Sequence, residues 1–259
     1  MYGPRGLFSC SILHLILRLP FLVVPVAVGL LLAMPYLRNL PEKALPQSII
    51  TFSFDDGYAS VYEKALPILE RYGYVGTVFV ITSAIGQSGY MTLEQLLNLA
   101  KRGWEIGSHT VSHRYLTELS PSELEFELWV SKRHLEGLGL TVVSFAPPGG
   151  EYNQTTIEAV AKHYLCQRIS WPDGLNDIPL SNPEDRYRLQ AVSVEAKTTV
   201  EEIQQWILLA KENKKWLILL FHRIDESGDH NWSSQDFETI VRFSREQGFR
   251  GISLSNVVK

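Results

Sequence analysis

Beyond residue 47 the chain alternates short continuous apolar runs with longer stretches whose apolar positions recur every three or four residues. The runs at 48–54, 77–81, 105–108, 142–146, 165–169, 189–192, 216–221 and 251–254 predict strands, each short and rich in Val, Ile, Leu or aromatic residues. The helical spacing predicts helices over 58–72, 93–102, 121–138, 154–163, 200–212 and 234–247. Two starts are marked by capping boxes. Thr92 with Gln95, and Ser120 with Glu123, set a hydroxyl on the amide three residues on while the longer side chain reaches back. Strands regularly followed by helices imply a parallel sheet buried on both faces. The number of such units favours an α/β architecture, an irregular (β/α) barrel of about seven strands, over the alternative of a doubly wound open sheet.

The first 47 residues follow a different pattern. Residues 19–36 carry no charge and follow Arg5 and Arg18, a length close to the roughly 20 apolar residues that a membrane span needs. Ala33-Met34-Pro35 makes a poor cleavage site, so an uncleaved N-terminal hydrophobic helix is expected, a signal anchor over residues 1–39. Pro20, Pro25 and Pro35 weaken that helix, and translation from Met34 would remove it and leave a cytoplasmic protein. Residues 40–47, with two prolines and mixed charge, read as the linker to a domain over 48–259.

Composition narrows the chemistry. The chain has 259 residues, 45% apolar, enough for one sizeable core, and a formal net charge of −4 with both signs interspersed. No basic face for nucleic acid emerges. Two cysteines, Cys10 and Cys166, allow neither a disulfide framework nor a cysteine-type zinc site.

The candidate chemistry gathers at strand ends. Asp55 and Asp56 close the first predicted strand, and two adjacent carboxylates call for a proton or a cation nearby. His109 and His113 stand four apart beyond the third strand, a spacing that suits two imidazoles on one divalent ion. One Asp plus two His leaves a coordination position for water, which reads as catalytic. Alone, Asp-Asp-Gly is more often a solvated turn and a His pair an exposed helix face. Their convergence with residues 147–150 after the fourth strand and His222 after the seventh outweighs those readings, because barrels carry chemistry at the carboxyl ends of their strands.

Four blocks carry a family resemblance: Ser53-Phe54-Asp55-Asp56-Gly57, then His109-Thr110-Val111-Ser112-His113, then Phe145-Ala146-Pro147-Pro148-Gly149-Gly150, then Leu219-Leu220-Phe221-His222. In that order they resemble the polysaccharide deacetylase, or NodB-homology, family of carbohydrate esterases. The resemblance implies that Asp56, His109 and His113 hold a divalent metal ion, zinc first and cobalt or nickel as alternatives, with Asp55 as the general base. It implies that His222 protonates the leaving amine. Gly149 is the candidate backbone donor to the oxyanion, since Pro147 and Pro148 have no N–H. The expected activity is hydrolysis of an acetamido group on an N-acetylated polysaccharide, whether peptidoglycan, chitin-like or exopolysaccharide, by an enzyme held at the membrane with its domain outside the cytoplasm. The alternatives are a small-molecule amide hydrolase and a metal-holding module that binds glycan without cutting it.

The chain departs from the family in two places. Where the family carries an arginine that pairs with the base, this sequence has Ala146, so the base is expected to lose that support. Where the family carries an aromatic residue, it has Gly149, so an open pocket wall is expected. Pro148, Tyr152, Trp171 and Trp232 are candidate sugar contacts, and Asp173 or Asp177 the candidate carboxylate that orients His222. Trp104, Trp129, Trp206 and Trp216 lie on strand or helix patterns and are assigned to packing.

Overall fold

The computed structural model describes residues 48–170, 174–225 and 231–259. Seven parallel strands form its centre: β1 (Ile49–Phe54), β2 (Gly76–Val80), β3 (Glu105–Ser108), β4 (Ser144–Phe145), β5 (Cys166–Ser170), β7 (Leu189–Ser193) and β8 (Trp216–Phe221). They run in the order β1-β2-β3-β4-β5-β7-β8, and β8 pairs back onto β1 with Phe54 opposite Phe221, so the sheet closes into a barrel. A two-residue strand β6 (Leu175–Asn176) lies antiparallel at the start of β8. Short β9 (Arg223–Ile224) pairs with β10 (Asn231–Trp232), and β11 (Arg250–Gly251) pairs with the start of β1.

The α-helices of the described residues are α1 (Leu66–Arg71, continuing a π turn over Val61–Ala65), α2 (Leu93–Lys101), α3 (Pro121–Gly137), α4 (Gln154–Ala161), α5 (Val200–Glu212), α6 (Ser234–Glu246) and α7 (Leu254–Val258). Both expected capping boxes are present, at Thr92 and at Ser120. No helix among the described residues is long and apolar enough to cross a membrane, and the candidate anchor and linker lie outside them.

Strand alternation sorts the core into two layers. Outward positions such as Phe52, Phe54, Val78 and Leu219 pack under the helices, while Ile49, Phe79, Cys166, Ala191, Trp216 and Ile218 pack together inside the barrel. The predicted strand at 251–254 is corrected. Only Arg250–Gly251 pairs, because Ser253 starts α7, whose first amides are taken by Thr77 Oγ1 and the Glu105 carboxylate. Trp216 and Trp104 are buried as expected, whereas Trp129 stands half exposed on α3.

Candidate active site

The inward positions of the strands stack upward to one rim. Asp55 continues the inward face of Ile49, Thr51 and Ser53, and His222 continues that of Trp216, Ile218 and Leu220. A cavity of about 340 Å³ opens there, lined by Asp55, Asp56, His109, His113, Gly149 and His222 among others. The metal-ligand and acid–base candidates therefore share one cup.

Asp56, His109 and His113 bring ligand atoms within 4.8 Å of one another. Nε2 of each histidine lies 3.4 Å from Asp56 Oδ1, and that buried oxygen receives no hydrogen bond. His109 Nδ1 faces the Ala146 carbonyl at 2.7 Å, a contact that only its N–H can make, so in the neutral ring the Nε2 lone pair points at Asp56. Something positive has to lie between these atoms, a proton or a cation, and one carboxylate with two imidazoles suits a divalent ion.

The local backbone is bent to achieve this. Asp56, Thr110 and His113 have φ of 70°, 69° and 60°, the left-handed region that non-glycine residues adopt at a cost of roughly 1–3 kcal/mol each. The 110–113 loop is held from below by Glu127 of α3, 3% exposed, whose carboxylate accepts from the Val111 and Ser112 amides at 2.7 and 3.1 Å and from the Ser112 hydroxyl.

Charge follows geometry. Burial tends to raise the Asp56 pKa, but attraction to His109, His222 and His113 overcomes it and leaves the carboxyl at about 2. Burial likewise depresses His109, but Asp55 and then Asp56 outweigh it and raise the imidazole above its usual range. His113 is lowered, by burial and by the charge of His109.

Two expectations drawn from the departures are corrected. Asp55 does not lack a cationic partner: Arg168 of β5, fully buried, donates from Nη2 to Asp55 Oδ1, and its guanidinium lies 5.1 Å from the Phe79 ring centre. The wall at Gly149 is not open, because the Tyr115 ring stands against it, and a Cβ at 149 would fall 2.4 Å from that ring.

Among the remaining candidates, Trp232 is corrected from sugar contact to core. It is 5% exposed, packs 5.6 Å from the Phe221 ring and donates through Nε1 to the Thr198 carbonyl at 3.0 Å. Pro148 is buried and Tyr152 half-buried, and neither lines the cavity. Trp171 and Asp173 lie outside the described residues. Asp177 pairs with Lys215, just ahead of β8, the length of a six-residue strand or about 20 Å from His222, too far to orient it. Arg168, Glu127 and Tyr115 went unread in the sequence, and so did Ser193 and Glu195 at the rim of β7, which share the cavity with His222.

A closed parallel barrel with a mixed Asp-His-His centre, a second carboxylate and a further histidine at its carboxyl rim defines a candidate single-cation hydrolase. Residues 42–166 match the family model described as polysaccharide deacetylase. YxkH of Bacillus subtilis strain 168, classed with the polysaccharide deacetylases, is 34% identical over 124 residues, which are 47% of this chain and 44% of that protein. The peptidoglycan-N-acetylglucosamine deacetylase of Bacillus cereus is 26% identical over 214 residues, covering 82% of this chain and 89% of its own. The crystal structure of the Xyl-CE4 domain of a multidomain xylanase from the hindgut metagenome of Trinervitermes trinervoides shares the fold, with a TM-score of 0.60 at 24% identity over 82% of this chain and 90% of that one. Over residues 42–166 the chain is similar to the polysaccharide deacetylases, and its match to YxkH spans less than half the length of that protein.

Proposed function

We propose that this chain is a metal-dependent de-N-acetylase that hydrolyses the acetamido group of an N-acetylated glycan. One observation carries the reading: the convergence of Asp56, His109 and His113 in the cup that also holds Asp55 and His222. A divalent cation held by those three side chains supplies an acidified water and a Lewis acid for the acetyl oxygen, and zinc, cobalt or nickel all suit this donor set.

The protein's own groups do the rest. Asp55, paired with the buried Arg168, accepts the proton of the attacking water. The Gly150 amide is already spent on the Pro147 carbonyl at 3.0 Å and the two prolines have none, which leaves the Gly149 amide as the donor to the developing oxyanion. His222, on the same rim, delivers a proton to the departing amine, which is otherwise a poor leaving group.

The peptidoglycan deacetylase similarity favours a peptidoglycan-like substrate, and chitin-like and exopolysaccharide chains offer the same group. We further propose that the domain works outside the cytoplasm on a membrane anchor, a reading supported by the uncharged stretch 19–36.

The test is acetate release from N-acetylglucosamine oligomers by the zinc-loaded protein, beside Asp55→Asn. Release that is lost in the variant while the metal stays bound supports hydrolysis. Binding of the oligomer without acetate at any pH would make the chain a glycan-binding module.

A further inference from the structure

One wall of the cavity is an aromatic ring that serves no part of the chemistry above. Of the five large hydrophobic side chains that stand exposed among the described residues, Tyr115, Phe126, Trp129, Leu208 and Leu209, only Tyr115 lines the cavity. The residue is 46% exposed. An aromatic left half in water beside a polar cup is placed for contact with something that is not part of the chain.

The segment that carries the ring is tied down. The next residue, Leu116, is 1% exposed and anchors the segment in the core, and the Tyr115 carbonyl accepts from the Glu118 amide at 3.2 Å. Thr117 Oγ1 donates to Glu151 at 3.1 Å, tying this turn to the one that carries Gly149. Gly149 in turn leaves the space the ring occupies, since any larger residue would meet it.

Around the barrel, β3 and β7 stand three strands apart one way and four the other, so the segment after β3 faces the end of β7 across the cup. Ser193 and Glu195 line the cup at the end of β7, where the Ser193 hydroxyl donates to the Glu195 carboxylate at 2.7 Å. An exposed aromatic face at the edge of a polar cup suits a pyranose ring, which has C–H-rich faces and a hydroxylated edge.

Size fixes what goes where. At about 340 Å³ the cup lies near the lower end of ligand cavities and takes one sugar residue, so the next residue of a polymer lies at the lip, where the Tyr115 ring is exposed. We propose that Tyr115 is the stacking platform for the hexosamine ring adjoining the one deacetylated, which makes an oligomeric N-acetylhexosamine chain, and not the free monosaccharide, the substrate. This rests on the de-N-acetylase reading for its choice of sugar.

The test is calorimetric binding of N-acetylglucosamine and its hexamer to zinc-loaded Asp55→Asn, alone and combined with Tyr115→Ala, Tyr115→Phe or Tyr115→Trp. The Ala variant is expected to bind the hexamer roughly tenfold more weakly, with a smaller ratio of hexamer to monosaccharide affinity, while Phe and Trp keep it. Zinc stoichiometry and thermal midpoint check each variant's fold. Equal hexamer affinity with and without the ring overturns the proposal, as does a loss with Phe as large as with Ala, or no hexamer binding by the Asp55→Asn parent. Acetate release from the hexamer by the unmutated protein is read alongside: its absence sinks the hydrolysis reading, while the binding comparison still decides Tyr115.

Discussion

Arg168, at the middle of β5, reaches across the barrel interior to the carboxylate of Asp55 at the end of β1. The two strands are not neighbours, and both side chains are buried. The family's arginine is expected at position 146, just past β4, one strand away from β5. Asp55, the candidate base, thus has a cationic partner, delivered from the adjoining strand.

Removing that partner leaves a buried carboxylate uncompensated, which costs about 3–5 kcal/mol. Arg168→Ala should lower the thermal midpoint and reduce acetate release by about a hundredfold or more. Arg168→Lys should recover part of the rate. Adding Ala146→Arg to Arg168→Ala should recover more, and a double variant no better than the single one would show that proximity to Asp55 is not what Arg168 provides.

Glu127 secures the loop that carries His113 through two amides and a hydroxyl. Partners that orient a metal's ligands typically matter 10- to 100-fold, so Glu127→Ala should weaken zinc binding by roughly that factor in a chelator competition. Unchanged affinity would mean that the loop holds its left-handed turns unaided.

Proton and cation compete for the same place. His109 has a raised pKa, so below that pKa the metal-free site holds a proton that an incoming ion must expel, while Asp56, at about 2, is already ionised. Zinc affinity should therefore fall about tenfold per pH unit on acidification below the His109 pKa and level off above it. His113, with its lowered pKa, adds little near neutrality. An affinity that stays flat between about pH 5.5 and 8 would contradict this account.

Trp232→Phe separates packing from recognition. The variant loses the bond to the Thr198 carbonyl and some buried surface, so thermal or denaturant unfolding should register about 1–2 kcal/mol of lost stability. The KM for oligomers should not move. A raised KM with stability intact would return Trp232 to the sugar site.

Much of the site was legible because its chemistry sits at strand ends. Asp55, Asp56, His109 and His222 each close a predicted strand, and a barrel brings all such positions to one rim. Arg168 was hidden by the same logic, since it lies inside a predicted strand. Its signal was present nonetheless: a charge within a buried run demands an interior partner. Glu127 gave no signal, being one of several glutamates on α3, and its role depends on which turn of the helix lies under the 110–113 loop. The fit of Tyr115 against Gly149 joins two separate loops and has no expression in either local sequence. Trp232 was misplaced because its neighbourhood reads as loop, whereas β9 and β10 fold it onto Phe221.

The joint between β8 and β1 has a consequence for the order of assembly. The candidate cation donors lie between positions 56 and 113 and His222 follows β8, but β8 is also one of the two strands that flank β1, and its Phe221 carbonyl accepts from the Asp55 amide at 2.9 Å. Contacts between distant segments form late, after the intervening chain has collapsed. A chain halted before β8 docks would lack both His222 at the rim and the strand that fixes the Asp55–Asp56 end of β1.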